Sequence, residues 1–171
     1  GFAKQSAGHI SVASEIGRGT TFSLFLPSST GIAESTTASA ATQASGGAES
    51  ILVVEDHPEV RRLAVETLAG FGYAVSEAHD AESAVALLEG GRHFDLLFSD
   101  VMMPGRVKTT TMADRARELL PQIAILFTSG YIESVIGQKG TLERYVHLLS
   151  KPYTSAELAA KIRELLDQRP G

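Results

Sequence analysis

From Ser50 onward the chain switches repeatedly between short apolar runs and apolar positions spaced at about 3.6 residues. Ile51–Glu55 is an apolar run reaching acid residues, the pattern of a buried strand. Val60, Leu63, Ala64, Thr67 and Leu68 then recur at helical spacing. Tyr73–Ala78 predicts a second strand, and Ala81, Ala84, Val85 and Leu88 a second helix capped by Asp80. Phe94–Ser99 predicts a third strand, Met112–Leu120 a third helix, Ile123–Thr128 a fourth strand and Tyr145–Leu149 a fifth. The last helix opens on Thr154-Ser155-Ala156-Glu157, a capping-box spacing, and presents Leu158, Ile162, Leu165 and Leu166 for burial. Between the last two strands, Gly130, Gly137 and Gly140 each cost a helix about 1 kcal/mol relative to Ala. A fourth helix there should be short or frayed. Strands taking turns with helices predict the α/β class, a mostly parallel sheet with helices on both faces.

The first 49 residues read differently. In GFAKQSAGHISVASEIGRGTTFSLFLP, Ile10, Val12 and Ser14 alternate, Glu15 to Gly19 form a Gly-bracketed turn, and Phe22, Leu24 and Leu26 alternate again. That is a hairpin pattern ending at Pro27. Two strands are marginal alone, so the piece should be the edge of something larger or poorly ordered. In residues 28–49, 18 of 22 positions are Ser, Thr, Ala or Gly. Such a stretch has too little to bury to offset its ordering entropy, which predicts a flexible linker. The division is therefore 1–27, 28–49 and a domain over 50–168.

Composition narrows the function classes. An apolar fraction of 43% and a charged fraction of 20% are those of a soluble globular protein. A net charge of −5 gives no basic stripe for nucleic acid. No apolar run approaches the roughly 20 residues of a membrane span, and no signal peptide is evident. The expectation is a cytoplasmic protein without membrane or nucleic-acid contact. Without cysteine there is no disulfide framework or thiolate metal site. The five histidines (9, 57, 79, 93, 147) show no metal-ligand spacing.

Chemistry gathers at the strand ends. In open α/β sheets, ligands bind beyond the carboxyl ends of the strands, where strand order reverses. The first strand ends in Glu55-Asp56, the third in Asp100, the fourth in Thr128-Ser129 and the fifth in Lys151-Pro152. Singly, each has a plain explanation: Asp56 a helix cap, Asp100 a turn residue, Thr128 a half-buried hydroxyl, Lys151 a solvated charge. Four strand ends of five on one rim are poorly explained that way. Three carboxylates face one lysine, and two like charges about 4 Å apart repel by roughly 4 kcal/mol at an effective dielectric of 20. Either a carboxyl protonates or a cation joins. An all-oxygen, partly hydrated site suits Mg²⁺. A phosphoryl group would then lie between the ion, Lys151 and the Thr128 hydroxyl, with Asp100 as the nucleophile that becomes an acyl phosphate.

ILVVEDHPEVRRLAVETLAGFGYAV, FDLLFSDVMMPG, ILFTSGY and LLSKPYTSAELAAKIRELL resemble the response-regulator receiver family in order and spacing, over about 120 residues. The resemblance implies a flavodoxin-like, doubly wound five-stranded parallel sheet of order 2-1-3-4-5. It implies Asp100 as phosphoacceptor, Glu55 and Asp56 as the acidic pair, and Met102 as donor of a backbone carbonyl to Mg²⁺. Thr128 matches the switch hydroxyl, Lys151 the family lysine, and Pro152 suggests a cis bond. The donor it implies is a phosphorylated histidine kinase or a histidine phosphotransfer protein; a homodimer is allowed. The receiver would catalyse its own aspartyl phosphorylation and dephosphorylation. Residues 1–27 resemble the last part of a histidine-kinase ATP-binding domain, which places the whole in a hybrid histidine kinase. The phosphoaccepting-histidine helix and upstream ATP-binding boxes are not in the sequence, so it should neither bind ATP nor autophosphorylate on histidine.

Two departures from the family stand out. The stretch Pro104-Gly105-Arg106-Val107-Lys108-Thr109-Thr110-Thr111 replaces the usual turn, and three threonines should delay the third helix until near Met112. Arg106 and Lys108 bring positive charge that either speeds docking of a phosphorylated donor or is simply solvated. Leu148 stands where many receivers carry an aromatic, so signal transmission would need Tyr131, Tyr145, Tyr153 or the backbone. Two other readings share this fold pattern. One is a receiver fold that regulates its kinase by contact alone. The other, a flavin carrier, would need a phosphate-cradling loop where Glu55-Asp56-His57-Pro58 stands. The chain ends at Gly171, soon after the last helix, so output through a DNA-binding segment is not expected.

Overall fold

Strand β3 (Ser50–Val54) lies inside the sheet with both faces covered, and Ile51, Leu52 and Val53 are fully buried. That is why its sequence is continuously apolar rather than alternating. The computed structural model describes residue 3 and residues 6–28, 47–130 and 147–169. After β3 come α1 (Pro58–Gly70), β4 (Ala74–Ala78), α2 (Ala81–Glu89), β5 (Leu96–Asp100), α3 (Thr109–Leu119), β6 (Ala124–Ser129), β7 (Leu148–Ser150) and α4 (Ser155–Asp167). The strands pair in parallel in the order β4-β3-β5-β6-β7. Counted from β3 this is the expected 2-1-3-4-5, with the winding reversing between β3 and β5.

Alternation along each strand divides the core in two. Leu52, Val54, Leu97, Ile125 and Phe127 pack against Ala84 and Leu88 of α2 and Met112 and Ala116 of α3. Ile51, Val53, Leu96, Phe98 and Leu126 pack against Leu68 of α1 and Leu158, Ile162 and Leu165 of α4. Two helix starts are fixed by side chains, as their sequences predict. The Asp80 carboxylate accepts from Ser83 N–H at 2.7 Å, and the Thr154 hydroxyl accepts from Glu157 N–H at 3.2 Å.

The third helix departs from the expected start. It begins at Thr109, not near Met112. Its threonines occupy the first turn, where no preceding turn crowds a branched side chain. Thr109 is buried, and its hydroxyl donates to the Val101 carbonyl at 3.1 Å. In α1 the apolar spacing is only partly used: Ala64 and Leu68 are buried, while Val60 and Leu63 are 38% and 65% exposed. The fifth strand is placed at Leu148–Ser150. The expected fourth helix over 130–144, and Tyr145, fall almost wholly outside the described residues.

The chain divides into two compact units, Gly1–Ser39 and Ala40–Gly171. In the first, β1 (His9–Glu15) and β2 (Gly19–Phe25) form an antiparallel hairpin with Ile10 opposite Leu24 and Val12 opposite Phe22. Gly17 and Gly19 carry the positive φ angles that its turn requires. Most of residues 28–49 lie outside the described residues. Among the described residues no helix is long and apolar enough to cross a membrane.

Candidate functional site

At the carboxyl end of β3 the backbone emerges from the core at Glu55, whose N–H donates to Ala78 O at 3.3 Å. The Glu55 side chain is 6% exposed. Helix α1 takes His57 as its N-cap, with Pro58 in the first turn and no side-chain capping bond. Asp56 therefore does not cap the helix. Arg61, one turn into α1, reaches back to donate to the carbonyls of Glu55 at 2.7 Å and Asp56 at 3.5 Å. Its Nε also bonds Glu77 at 3.2 Å.

Asp100 ends β5, the next strand of the sheet, directly beside Thr128 of β6. One carboxylate oxygen accepts from Met102 N–H at 2.9 Å, which turns the chain sharply after the strand. The other accepts from the Lys151 ammonium at 2.7 Å. The same ammonium donates to Glu55 at 2.8 Å. Lys151 is held there by the end of β7, where its N–H donates to Ser129 O at 2.8 Å, and the Lys151–Pro152 bond is cis. Burial alone would lower the Lys151 pKa; the bonds from Asp100 and Glu55 outweigh it and hold it above the usual lysine value. The Thr128 side chain is buried on the same strand end. Glu55, Asp100 and Lys151 thus meet at the strand ends, and Thr128 lies beside Asp100 in the sheet register.

The donors fit a hard cation only in part as they stand. Among the described residues no three acidic or histidine side chains converge on one point. Lys151 takes the place between Glu55 and Asp100 that a cation would share. Asp56, Asp100 and the Met102 carbonyl offer only oxygen donors, the hard kind that Mg²⁺ takes together with water. Tyr153, half-buried, sets its ring edge-on to Phe98 at 6.3 Å. Burial first, and then the neighbouring carboxylates against Lys151, keep its phenol above the ordinary tyrosine range. Leu148 is half-buried against the α2–α3 side of the core, and Tyr131 and Tyr145 lie outside the described residues.

Two residues escaped the sequence reading. Arg61 falls six residues beyond Glu55, a distance with no motif attached. Glu82, in the first turn of α2, reads as a charge favouring a helix start, yet its Oε1 accepts from Arg106 N–H at 2.9 Å and Val107 N–H at 3.3 Å. Neither contact has a periodicity that would betray it.

The sequence profile of the response regulator receiver domain matches residues 51–163. The chain belongs to the receiver family of two-component signalling. Among curated relatives, this receiver chain is 33% identical to the "Sensor kinase CckA" of Brucella abortus over 179 residues, covering 99% of this chain and 19% of that protein. It is 31% identical to the "Response regulator receiver protein CpdR" of the same organism, over 68% of this chain and 95% of that one. The chain thus spans less than a fifth of the sensor kinase, and 48% of the transcriptional regulators named CpxR that it also resembles. Among solved structures, the receiver domain of the hybrid histidine kinase CckA is 36% identical with a TM-score of 0.57, covering 68% of this chain and 98% of that one. A receiver protein from Sinorhizobium medicae is 26% identical with a TM-score of 0.64, covering 72% and 98%.

Proposed function

We propose that this receiver accepts a phosphoryl group on Asp100 from a phosphohistidine, with Mg²⁺ bound beside it, as a module of a hybrid histidine kinase. The observation that carries the reading is the Lys151 ammonium between Glu55 and Asp100, at 2.8 and 2.7 Å. A cation so placed neutralises the nucleophile's surroundings and faces the phosphoryl oxygens as charge develops on them. Asp100 Oδ would attack phosphorus as the P–N bond of the donor breaks; the imidazole leaves with the bonding pair and takes up a proton. The Thr128 hydroxyl would donate to a phosphoryl oxygen. Asp56, Asp100 and the Met102 carbonyl would hold Mg²⁺, with Glu55 acting through water. The ion supplies charge neutralisation for phosphate next to three carboxylates.

A phosphorylated histidine kinase or phosphotransfer protein fits as partner. The exposed Val60 and Leu63, in a groove that also includes Lys151, Pro152 and Tyr153, offer it an apolar footing beside the acceptor. The hybrid-kinase reading is supported by the alignment of nearly the whole chain with a sensor kinase. It is also supported by the hairpin, whose Ile10, Val12, Phe22 and Leu24 share an exposed face that a larger domain would cover. The test is intact mass after incubation with a small phosphodonor, with and without Mg²⁺. One phosphoryl addition is expected in the wild type with Mg²⁺ and none in Asp100→Asn. Mg²⁺ binding without any addition would leave the contact-only reading standing; equal addition in both would mean another acceptor.

A further inference from the structure

We infer that Glu82 is a positioning residue for the acceptor loop: its carboxylate bonds to the backbone of Arg106 and Val107 hold the Met102 carbonyl where the metal needs it. The inference rests on the Mg²⁺-dependent reading above. The loop between β5 and α3 is pinned at its start by Val101 N–H donating to Thr128 O at 3.0 Å and by Met102 N–H on Asp100. It is pinned at its end by Thr109, whose hydroxyl bonds the Val101 carbonyl. Between these pins the Met103 and Val107 side chains pack on the core, and the backbone N–H groups of Arg106 and Val107 bond Glu82 at 2.9 and 3.3 Å.

The approach is close. Gly105 has φ +152°, and a Cβ there would lie 3.1 Å from the second Glu82 oxygen. An acid in the first turn of a helix needs no partner, because the helix N-terminus already favours its charge. The start of α2 is in any case capped by Asp80 and Ser83. Glu82 is therefore spare for the helix and is spent on a loop 24 residues away in sequence. A carboxylate accepting two N–H bonds fixes both their direction and their spacing. The carbonyl of Met102 lies four residues upstream of Arg106, on a segment whose N–H side is fixed by Asp100 and whose neighbours Val101 and Met103 pack on the core, so Glu82 completes its hold from the far side of the loop. Groups that orient a metal ligand typically matter by 10- to 100-fold in affinity.

The variants separate hydrogen bonding from charge. Glu82→Gln keeps an acceptor for both N–H groups and loses the charge; Glu82→Ala loses both. Mg²⁺ affinity is measured by titration on each full chain, alongside thermal melting and amide hydrogen exchange of Arg106 and Val107 without metal. The expected result is a loss of about 10-fold in Mg²⁺ affinity for Glu82→Ala, near wild-type affinity for Glu82→Gln, and little change in melting, because water can satisfy the freed amides. The two amides should exchange faster in Glu82→Ala only. Wild-type affinity in Glu82→Ala would overturn the inference, and so would equal losses in both variants, which would mean that charge alone acts. A wild type that binds no Mg²⁺ would sink the functional reading itself, and this inference with it.

Discussion

Replacing Lys151 with methionine keeps most of the length of the side chain and removes its charge. In the wild type the Glu55 and Asp100 oxygens that share the ammonium can be at most about 5.5 Å apart, and two unit charges at that distance repel by about 3 kcal/mol at an effective dielectric of 20. Both side chains are largely shielded, at 6% and 15% exposure. Solvent therefore screens little of the repulsion, and breaking such a buried pair costs about 3–5 kcal/mol. Lys151→Met should lose about 3 kcal/mol of stability at pH 7 by urea unfolding. The Lys151 pKa is raised in the fold by its bonds to Asp100 and Glu55, so its contribution is present below the unfolded lysine pKa, pH 7 included, and is lost as pH rises through the folded value. Mg²⁺ should also restore more stability to the variant than to the wild type, since a cation can enter the vacated position. A loss under about 0.5 kcal/mol, the range of ordinary surface substitutions, would refute the charge account of the site.

Other consequences follow from the same geometry. Asp95 accepts from Ser50 N–H, His93 and Arg169. Burial alone would raise its pKa, but these bonds hold it below the ordinary value. Its contribution is thus present above the unfolded pKa and lost as pH falls through the folded one; Asp95→Asn should destabilise by about 1–2 kcal/mol at neutral pH and converge with the wild type in acid unfolding. Thr109→Val keeps the shape but orphans the Val101 carbonyl, and should cost about 1–2 kcal/mol in chemical denaturation. Thr154→Ala removes the cap of α4 and should cost about 1 kcal/mol, read as a lower melting temperature with the fold retained.

The sheet was legible because burial writes itself into sequence. Ile51–Val54 and Leu96–Phe98 have no polar interruption, and their order along the chain was enough to suggest a parallel arrangement. The capped starts at Asp80 and Thr154 were equally plain, since capping is a local chemistry of three or four residues. The start of α3 is not legible from composition, because the rule against β-branched residues applies to helix interiors, whereas Thr109 sits in the first turn and is secured by a tertiary bond. Val60 and Leu63 follow helical spacing yet stay exposed, because periodicity marks a face without saying what covers it. The meeting of Glu55, Asp100 and Lys151 could be anticipated from strand ends. The grips of Arg61 and Glu82 could not, because a side chain seeking backbone carbonyls or amides leaves no pattern in sequence.

Asp100 as the acceptor is tested most directly by trapping its acyl phosphate. After incubation with a phosphodonor and Mg²⁺, borohydride reduction would convert a phosphorylated aspartate to homoserine, and peptide mapping would locate it. Homoserine at position 100, dependent on Mg²⁺ and confined to that residue, is the predicted result. Reduction at Asp56 or elsewhere, or none at all in protein that binds Mg²⁺, would contradict the account.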